Sequence, residues 1–171
     1  MKIYTVGHTT RSIEEFINVL KSYKIEIVVD VRTIPKSKHN PQFEGMSLER
    51  SLSDAGISYI HIPSLGGLRN PRKDSNNLEW RNTSFRGYAD YMETEDFSNG
   101  IEMLKKIAEN HAVAIMCAEA VPWRCHRNLI ADRLVVDGIE VEHIMTESKS
   151  SEHKLTEFLK VVDGRLTYPK S

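Results

Sequence analysis

The sequence predicts an α/β fold: an α/β/α three-layer arrangement around a mostly parallel five-stranded sheet, in the order 3-2-1-4-5. Three observations carry this reading. Short apolar runs of strand length alternate with longer segments whose apolar residues recur at helical spacing. Gly56 and Gly138 each stand between a helical segment and the next apolar run, where a left-handed residue ends a helix. Ser12 and Glu15 form a capping box ahead of the first helical stretch.

In chain order, a strand is expected over 2–7 and a helix over 12–24, with Phe16, Ile17, Val19 and Leu20 on its buried side. A strand over 26–32, a helix over 47–55 and a strand over 58–63 follow. After a long loop come helices at 85–92 and 96–110. The uninterrupted apolar run from Ala112 to Met116 then reads as a strand buried on both faces, ending at Cys117. A helix over 123–137 carries Leu129, Ile130, Leu134 and Val135 at helical spacing, with Pro122 near its first turn. A strand over 140–145 and a last helix around 153–162 complete the pattern. The tail from Gly164 to Ser171 is either an edge strand or loose.

At 171 residues the chain fits one domain, large enough to bury about two-thirds of its unfolded surface. With 40% hydrophobic residues, 27% charged residues and a net charge of −1, it reads as an ordinary globular chain rather than a disordered or membrane one. No apolar run approaches transmembrane length and the amino terminus lacks signal-peptide anatomy, so a cytoplasmic protein without a membrane partner is expected. In a reducing compartment the two cysteines are free thiols or ligands rather than a disulfide framework. From Arg32 to Arg86 there are nine Lys or Arg against five Asp or Glu, a basic stretch that the near-neutral total conceals.

The strand ends gather the reactive side chains: Gly7-His8-Thr9, Asp30 and Arg32, Leu65-Gly66-Gly67, Cys117 and Glu119, and His143. In parallel sheets ligands bind beyond the carboxyl ends of the strands, so these groups are expected to form one composite site. The densest stretch is Cys117-Ala118-Glu119-Ala120-Val121-Pro122-Trp123-Arg124-Cys125-His126-Arg127, at the junction of a buried strand and a helix. A helix start there offers free N–H groups and positive dipole potential, which attract anions and lower a thiol pKa.

Cys-Ala-Glu-x-x-Pro-x-x-Cys-His-Arg, followed by an apolar helix, Gly138 and Val141-Glu142-His143-Ile144, resembles the signature of the family called domain of unknown function 488. Tyr4-Thr5-Val6-Gly7-His8, Asp30-Val31-Arg32-x-x-Pro35-x-Ser37, Leu65-Gly66-Gly67 and Arg86-Gly87-Tyr88-Ala89-Asp90-Tyr91-Met92 occur in the same order as in that pattern. Thr9 replaces a usual serine and Lys38 a usual arginine; lysine keeps the charge but loses the bidentate fork. The resemblance implies a fold and a set of shared positions, and no substrate.

The residues themselves point to a phosphate- or nucleotide-type anion pocket, with a hydrolase or transferase as one outcome. Arg127, His126 and the helix N-terminus would bind the anion, Arg32 would be a second clamp, and Ser37, Gly66 and Gly67 would contribute. His8 or Glu119 would serve as general base or acid and Cys125 as nucleophile. Asp30, Cys117, Pro122 and His143 would support the site. Each has a plainer reading: Cys117 as a core hydrophobe, Asp30 and Arg32 as a structural ion pair, Gly66-Gly67 as a turn. Two alternatives stay open. The basic loops with Arg69, Arg72, Lys73, Arg81 and Trp80 would suit a non-catalytic nucleic-acid module. Cys117 and Cys125 would otherwise make a thiol site, or with His126 and His8 a zinc site, although their spacing matches no finger or ribbon and no metal ligand is assigned. Six residues lie between Cys117 and Arg124 where the phosphatase loop has five, and none of them is glycine. The sequence assigns no cofactor and no oligomeric state.

Overall fold

In the computed structural model, which describes all residues from Met1 to Ser171, β1 (Lys2–Gly7) leads through α1 (Ile13–Ser22) to β2 (Ile27–Asp30). The Ser12–Glu15 capping box forms as expected. A single 3-10 turn precedes α2 (Gly45–Asp54), and β3 (Ser58–His61) follows. After a long loop come α3 (Thr83–Tyr91), α4 (Glu95–Ala108) and β4 (Val113–Cys117). Then a 3-10 turn at Pro122–Arg124 precedes α5 (Arg127–Val136) and β5 (Glu140–Ile144). Gly56 and Gly138 have φ of 79° and 88°, the left-handed values that stop α2 and α5.

The sheet has six strands in the order β3-β2-β4-β1-β5-β6, all parallel except β6 (Ser150–Glu152), which pairs antiparallel with β5. The expected order differs: β4 enters between β2 and β1 instead of lying beyond β1. All five residues of β4, each of them apolar, are buried, as suits a strand paired on both edges and covered by helices on both faces.

Alternation along the strands divides the core in two. Val29, Val31, Val113, Ile115 and Cys117 face α3, α4 and α5, through Tyr88, Phe97, Leu104, Leu129 and Leu134. Val28, Ala114, Met116 and Val6 face α1 and α2, through Phe16, Leu20, Leu48 and Leu52. Helices therefore cover both faces of the sheet, as expected for three layers.

The helix expected around 153–162 is absent. Residues 153–159 run irregularly across α5, and β7 (Lys160–Val162) turns into β8 (Arg165–Thr167). Asp163 and Gly164 both have positive φ (51° and 79°), the geometry of a tight hairpin turn for which Asp-Gly is the usual sequence. The second cause is Asp132, fully buried on α5. Its carboxylate accepts from His153 Nε2 (2.8 Å), Thr156 N and Oγ1 (3.1 and 2.7 Å) and Tyr168 OH (2.8 Å), which pins this segment in extended form. Tyr168 is consequently buried, so the tail is not loose.

Candidate functional site

Two close approaches build the carboxyl edge. A Cβ built on Gly7 would overlap the Glu119 carbonyl oxygen, so only glycine lets the loop after β1 lie against the loop after β4. Hydrogen bonds from His8 N to Cys117 O (2.9 Å) and from Thr9 N to Ala118 O (3.0 Å) fasten the two. On the other flank Val31 N donates to Met116 O at 3.0 Å, which brings Arg32 beside the end of β4. With β4 between β1 and β2, Cys117 has both the His8 loop and the Arg32 loop as neighbours.

A cavity of about 360 Å³ opens between the ends of β2, β3 and β4. Arg32, Gly67, Cys117, Glu119, Cys125 and His126 line it, together with Thr33, Arg124 and the first two turns of α3, through Ser84, Phe85 and Tyr88. Exposed Ile34 and Leu68 form an apolar rim.

Cys125 lies just ahead of α5. Its Sγ is 2.7 Å from Cys117 Sγ, 3.5 Å from His126 Nδ1 and within 3.5 Å of the Arg127 backbone N–H. Burial pushes the Cys125 thiol up, but the hydrogen bond from Cys117 and the Arg127 charge and N–H outweigh it and bring it to about 7. Burial, then the Cys125 partner, hold Cys117 well above an ordinary thiol. The two sulfurs are therefore in unlike surroundings: those of Cys125 favour the thiolate and those of Cys117 disfavour it.

His126 Nε2 lies 2.7 Å from the Val31 carbonyl, which only accepts, so Nε2 carries the hydrogen and Nδ1 turns a lone pair toward Cys125. Burial lowers the His126 pKa. The ring packs against Gly67, where a Cβ would come 3.1 Å from Nδ1. Gly66 abuts Thr33, whose Oγ1 donates to Gly67 O at 2.6 Å. The pair thus allows two loops and a ring to meet; Gly67 reaches the cavity and Gly66 does not.

Arg32 grips Asp30 with Nε (3.0 and 3.1 Å) and Nη2 (2.7 Å), and Tyr59 OH donates to the same carboxylate at 2.6 Å. Arg32 Nη1 is buried with no partner, on a side chain that lines the cavity. The structural reading of this pair holds: Asp30 fixes the guanidinium and leaves Nη1 without a partner.

Arg127 sits elsewhere than on the cavity wall. It is 1% exposed, donates from Nη1 to Thr5 Oγ1 (3.0 Å) and from Nη2 to Glu119 O (2.8 Å), and lines no part of the cavity. It lies behind the thiol and makes no ion pair with a carboxylate. Glu119 itself is exposed at the rim. His8 donates from Nδ1 to Thr9 O at 2.8 Å and stacks on Phe43, leaving Nε2 buried and unpartnered; burial lowers its pKa. It adjoins the Cys117 backbone without lining the cavity. Ser37 is also outside it. Pro122 opens the isolated 3-10 turn rather than α5, so the long helix starts at Arg127 and Cys125 stands before its first N–H groups.

His143 belongs to a buried chain that residue patterns did not disclose. Arg127 Nη1 donates to Thr5 Oγ1, which meets His143 Nδ1 at 2.6 Å; His143 Nε2 meets His153 Nδ1 at 2.8 Å, and His153 meets Asp132. Because Arg127 only donates and Asp132 carboxylate only accepts, one direction of hydrogens satisfies every link with both histidines neutral. Burial, His153 and Arg127 lower the His143 pKa to about 3.

The alternatives fare differently. Trp80 is packed by Phe85, Phe158 and Tyr168 and Arg72 pairs with Glu93, whereas Lys73 and Arg81 are exposed. Arg69 lies over the Tyr91 ring at 3.8 Å. The zinc set of Cys117, Cys125, His126 and His8 is not assembled: no three His, Cys, Asp or Glu side chains are disposed to hold a metal ion. No helix is long and apolar enough to cross a membrane.

Fold and site together define an α/β protein with a paired-thiol cavity at the carboxyl edge of a mostly parallel sheet. Over residues 12–134 the chain matches the family described as Domain of unknown function DUF488, and it belongs to that family. The match takes in Asp30, Arg32, both cysteines, His126 and Arg127. No curated protein and no solved structure matches the chain.

Proposed function

We propose that this cavity binds a small anionic molecule and presents the Cys125 thiolate to it, as a thiol-dependent transferase or hydrolase would. The observation that carries this reading is the unpartnered Arg32 Nη1 in the cavity that holds Cys125. A buried guanidinium N–H without an acceptor is costly, and a phosphate or carboxylate oxygen would satisfy it. The volume exceeds what an anionic headgroup needs, and Phe85, Tyr88, Ile34 and Leu68 suit an apolar or aromatic body such as a nucleotide base.

The residues take distinct roles. Arg32, held by Asp30, is the anion contact, with Arg124 beside it at the surface. Cys125 is the nucleophile, and His126 Nδ1 is placed to receive its proton. Glu119, at the rim, is the group open to act as acid or base toward a leaving group. Arg127 is a positioning residue whose charge favours the thiolate.

Thermal denaturation with inorganic phosphate, small carboxylates and a nucleotide panel tests the anion site, on the native chain and on Arg32→Lys. Lysine keeps charge near Asp30 but removes the free Nη1. A ligand at about a hundred times its Kd stabilises by roughly 2.7 kcal/mol. A rise in Tm with an anion that Arg32→Lys abolishes supports the reading; equal shifts in both proteins, or none, contradict it.

A further inference from the structure

We infer that Cys117 and Cys125 form a two-electron dithiol couple, and that the cavity carries out thiol–disulfide exchange with a small carboxylated disulfide. This rests on the Cys125 thiolate reading and assigns it a substrate class.

The geometry points past simple nucleophilic catalysis. The sulfurs of the chain's two cysteines stand 2.7 Å apart, against about 2.0 Å in a formed disulfide, so bond formation needs a displacement of less than about 1 Å. A second sulfur this close to the nucleophile, well inside the ordinary S···S van der Waals separation, is placed to resolve a mixed disulfide formed on Cys125. Cys117 ends a central strand, and its neighbours after β1 and β4 are fastened backbone to backbone, so its position is fixed. Cys125 precedes a helix and opens to the same cavity. One sulfur is placed to attack and the other to resolve.

The steps balance. Cys125 Sγ, as thiolate, attacks one sulfur of R–S–S–R′; the Cys125 S–S bond forms, the substrate S–S bond breaks, and R′–S⁻ leaves and takes up a proton. Cys117 then loses its S–H proton to the departing R–S⁻, and its sulfur attacks Cys125 Sγ. The Cys117–Cys125 disulfide forms and R–SH is released. Two protein thiols are oxidised, one substrate disulfide is reduced to two thiols, and an external dithiol reverses the cycle. A carboxylate on R suits the free Arg32 Nη1, and the apolar rim accommodates its body.

The test uses oxidised glutathione as the carboxylated probe and bis(2-hydroxyethyl) disulfide as the uncharged one, read by intact mass and by thiol count. The native chain should lose both thiols and two hydrogens while retaining no adduct. Cys117→Ser should instead stop at a mixed disulfide on Cys125. Arg32→Lys should slow the reaction with oxidised glutathione at least tenfold more than it slows the reaction with the uncharged probe. If the native chain stops at a stable mixed disulfide, or keeps both thiols although iodoacetamide alkylates Cys125, the dithiol proposal fails and the thiolate site stands. If iodoacetamide modifies neither cysteine at neutral pH, the underlying thiolate reading fails and this proposal with it. Equal slowing of both probes by Arg32→Lys overturns the carboxylate assignment.

Discussion

Arg127 is buried directly behind Cys125, its backbone N–H 3.5 Å from the sulfur and its guanidinium without a carboxylate partner. A desolvated cation of this kind favours a nearby negative charge, and the thiolate supplies one. Arg127→Met, which keeps the bulk, should raise the Cys125 pKa by about one unit or more, measured from thiolate absorbance against pH. It should also lower Tm, because Thr5 Oγ1 and the Glu119 carbonyl each lose a donor. An unchanged thiol pKa would mean that the guanidinium serves only packing.

Gly7→Ala is the sharpest steric test of the joined loops. The added methyl meets the Glu119 carbonyl, which is backbone and moves only with its whole loop. The expected cost is about 3 kcal/mol. Because the displaced loop is the one Arg127 holds, Cys125 alkylation should also change rate. A variant with native Tm would show that the two loops are not in contact.

Asp132→Asn should release the carboxyl-terminal segment. The buried carboxylate accepts four hydrogen bonds, and an amide cannot accept them all. A loss of about 3 kcal/mol or more is expected, with faster proteolysis between residues 150 and 171. Cleavage confined to other loops would count against this anchoring.

Acid should weaken the fold through its buried histidines. His143 is lowered to about 3 by burial, by His153 and by Arg127, from an ordinary 6.5, and burial lowers His8 and His126 as well. Between those limits the unfolded chain binds protons that the folded chain refuses. Stability is therefore fully present above about pH 6.5 and falls as pH drops toward 3. Well inside its window His143 contributes a slope of up to about 1.4 kcal/mol per pH unit. Denaturant titrations at pH 7, 6 and 5 should show the decline, and His143→Gln should make it shallower. A stability independent of pH over this range would exclude buried neutral histidines.

Elements with a strong local signal were legible from the residues. The capping box at Ser12 and Glu15, the stop glycines Gly56 and Gly138 and the apolar run of β4 are each decided within a few residues. The strand order was not, because it depends on β4 pairing with both β1 and β2 across long sequence separations. The missing last helix was decided by one long-range partner, Asp132, although Asp163-Gly164 was a readable hairpin signal. The site was legible as a set of strand ends, while its division of labour was not. Arg32 and Arg127 look alike in sequence; only the fold shows that the unpartnered Nη1 of Arg32 belongs to a side chain lining the cavity, while Arg127, its Nη atoms held by Thr5 and Glu119 and its Nε unpartnered, lines no part of it. Likewise, nothing local marks Thr5, His143, His153 and Asp132 as one chain, since they come from β1, β5, the segment after β6 and α5.

The most direct measurement is the pH dependence of iodoacetamide alkylation on the native chain, with the modified cysteine located by peptide mass spectrometry. Cys125 should react with an inflection near pH 7, and Cys117 should stay unmodified through that range. Reaction first at Cys117, or an inflection at Cys125 near the ordinary free-thiol value of about 8.5, would contradict a thiolate held at the mouth of α5.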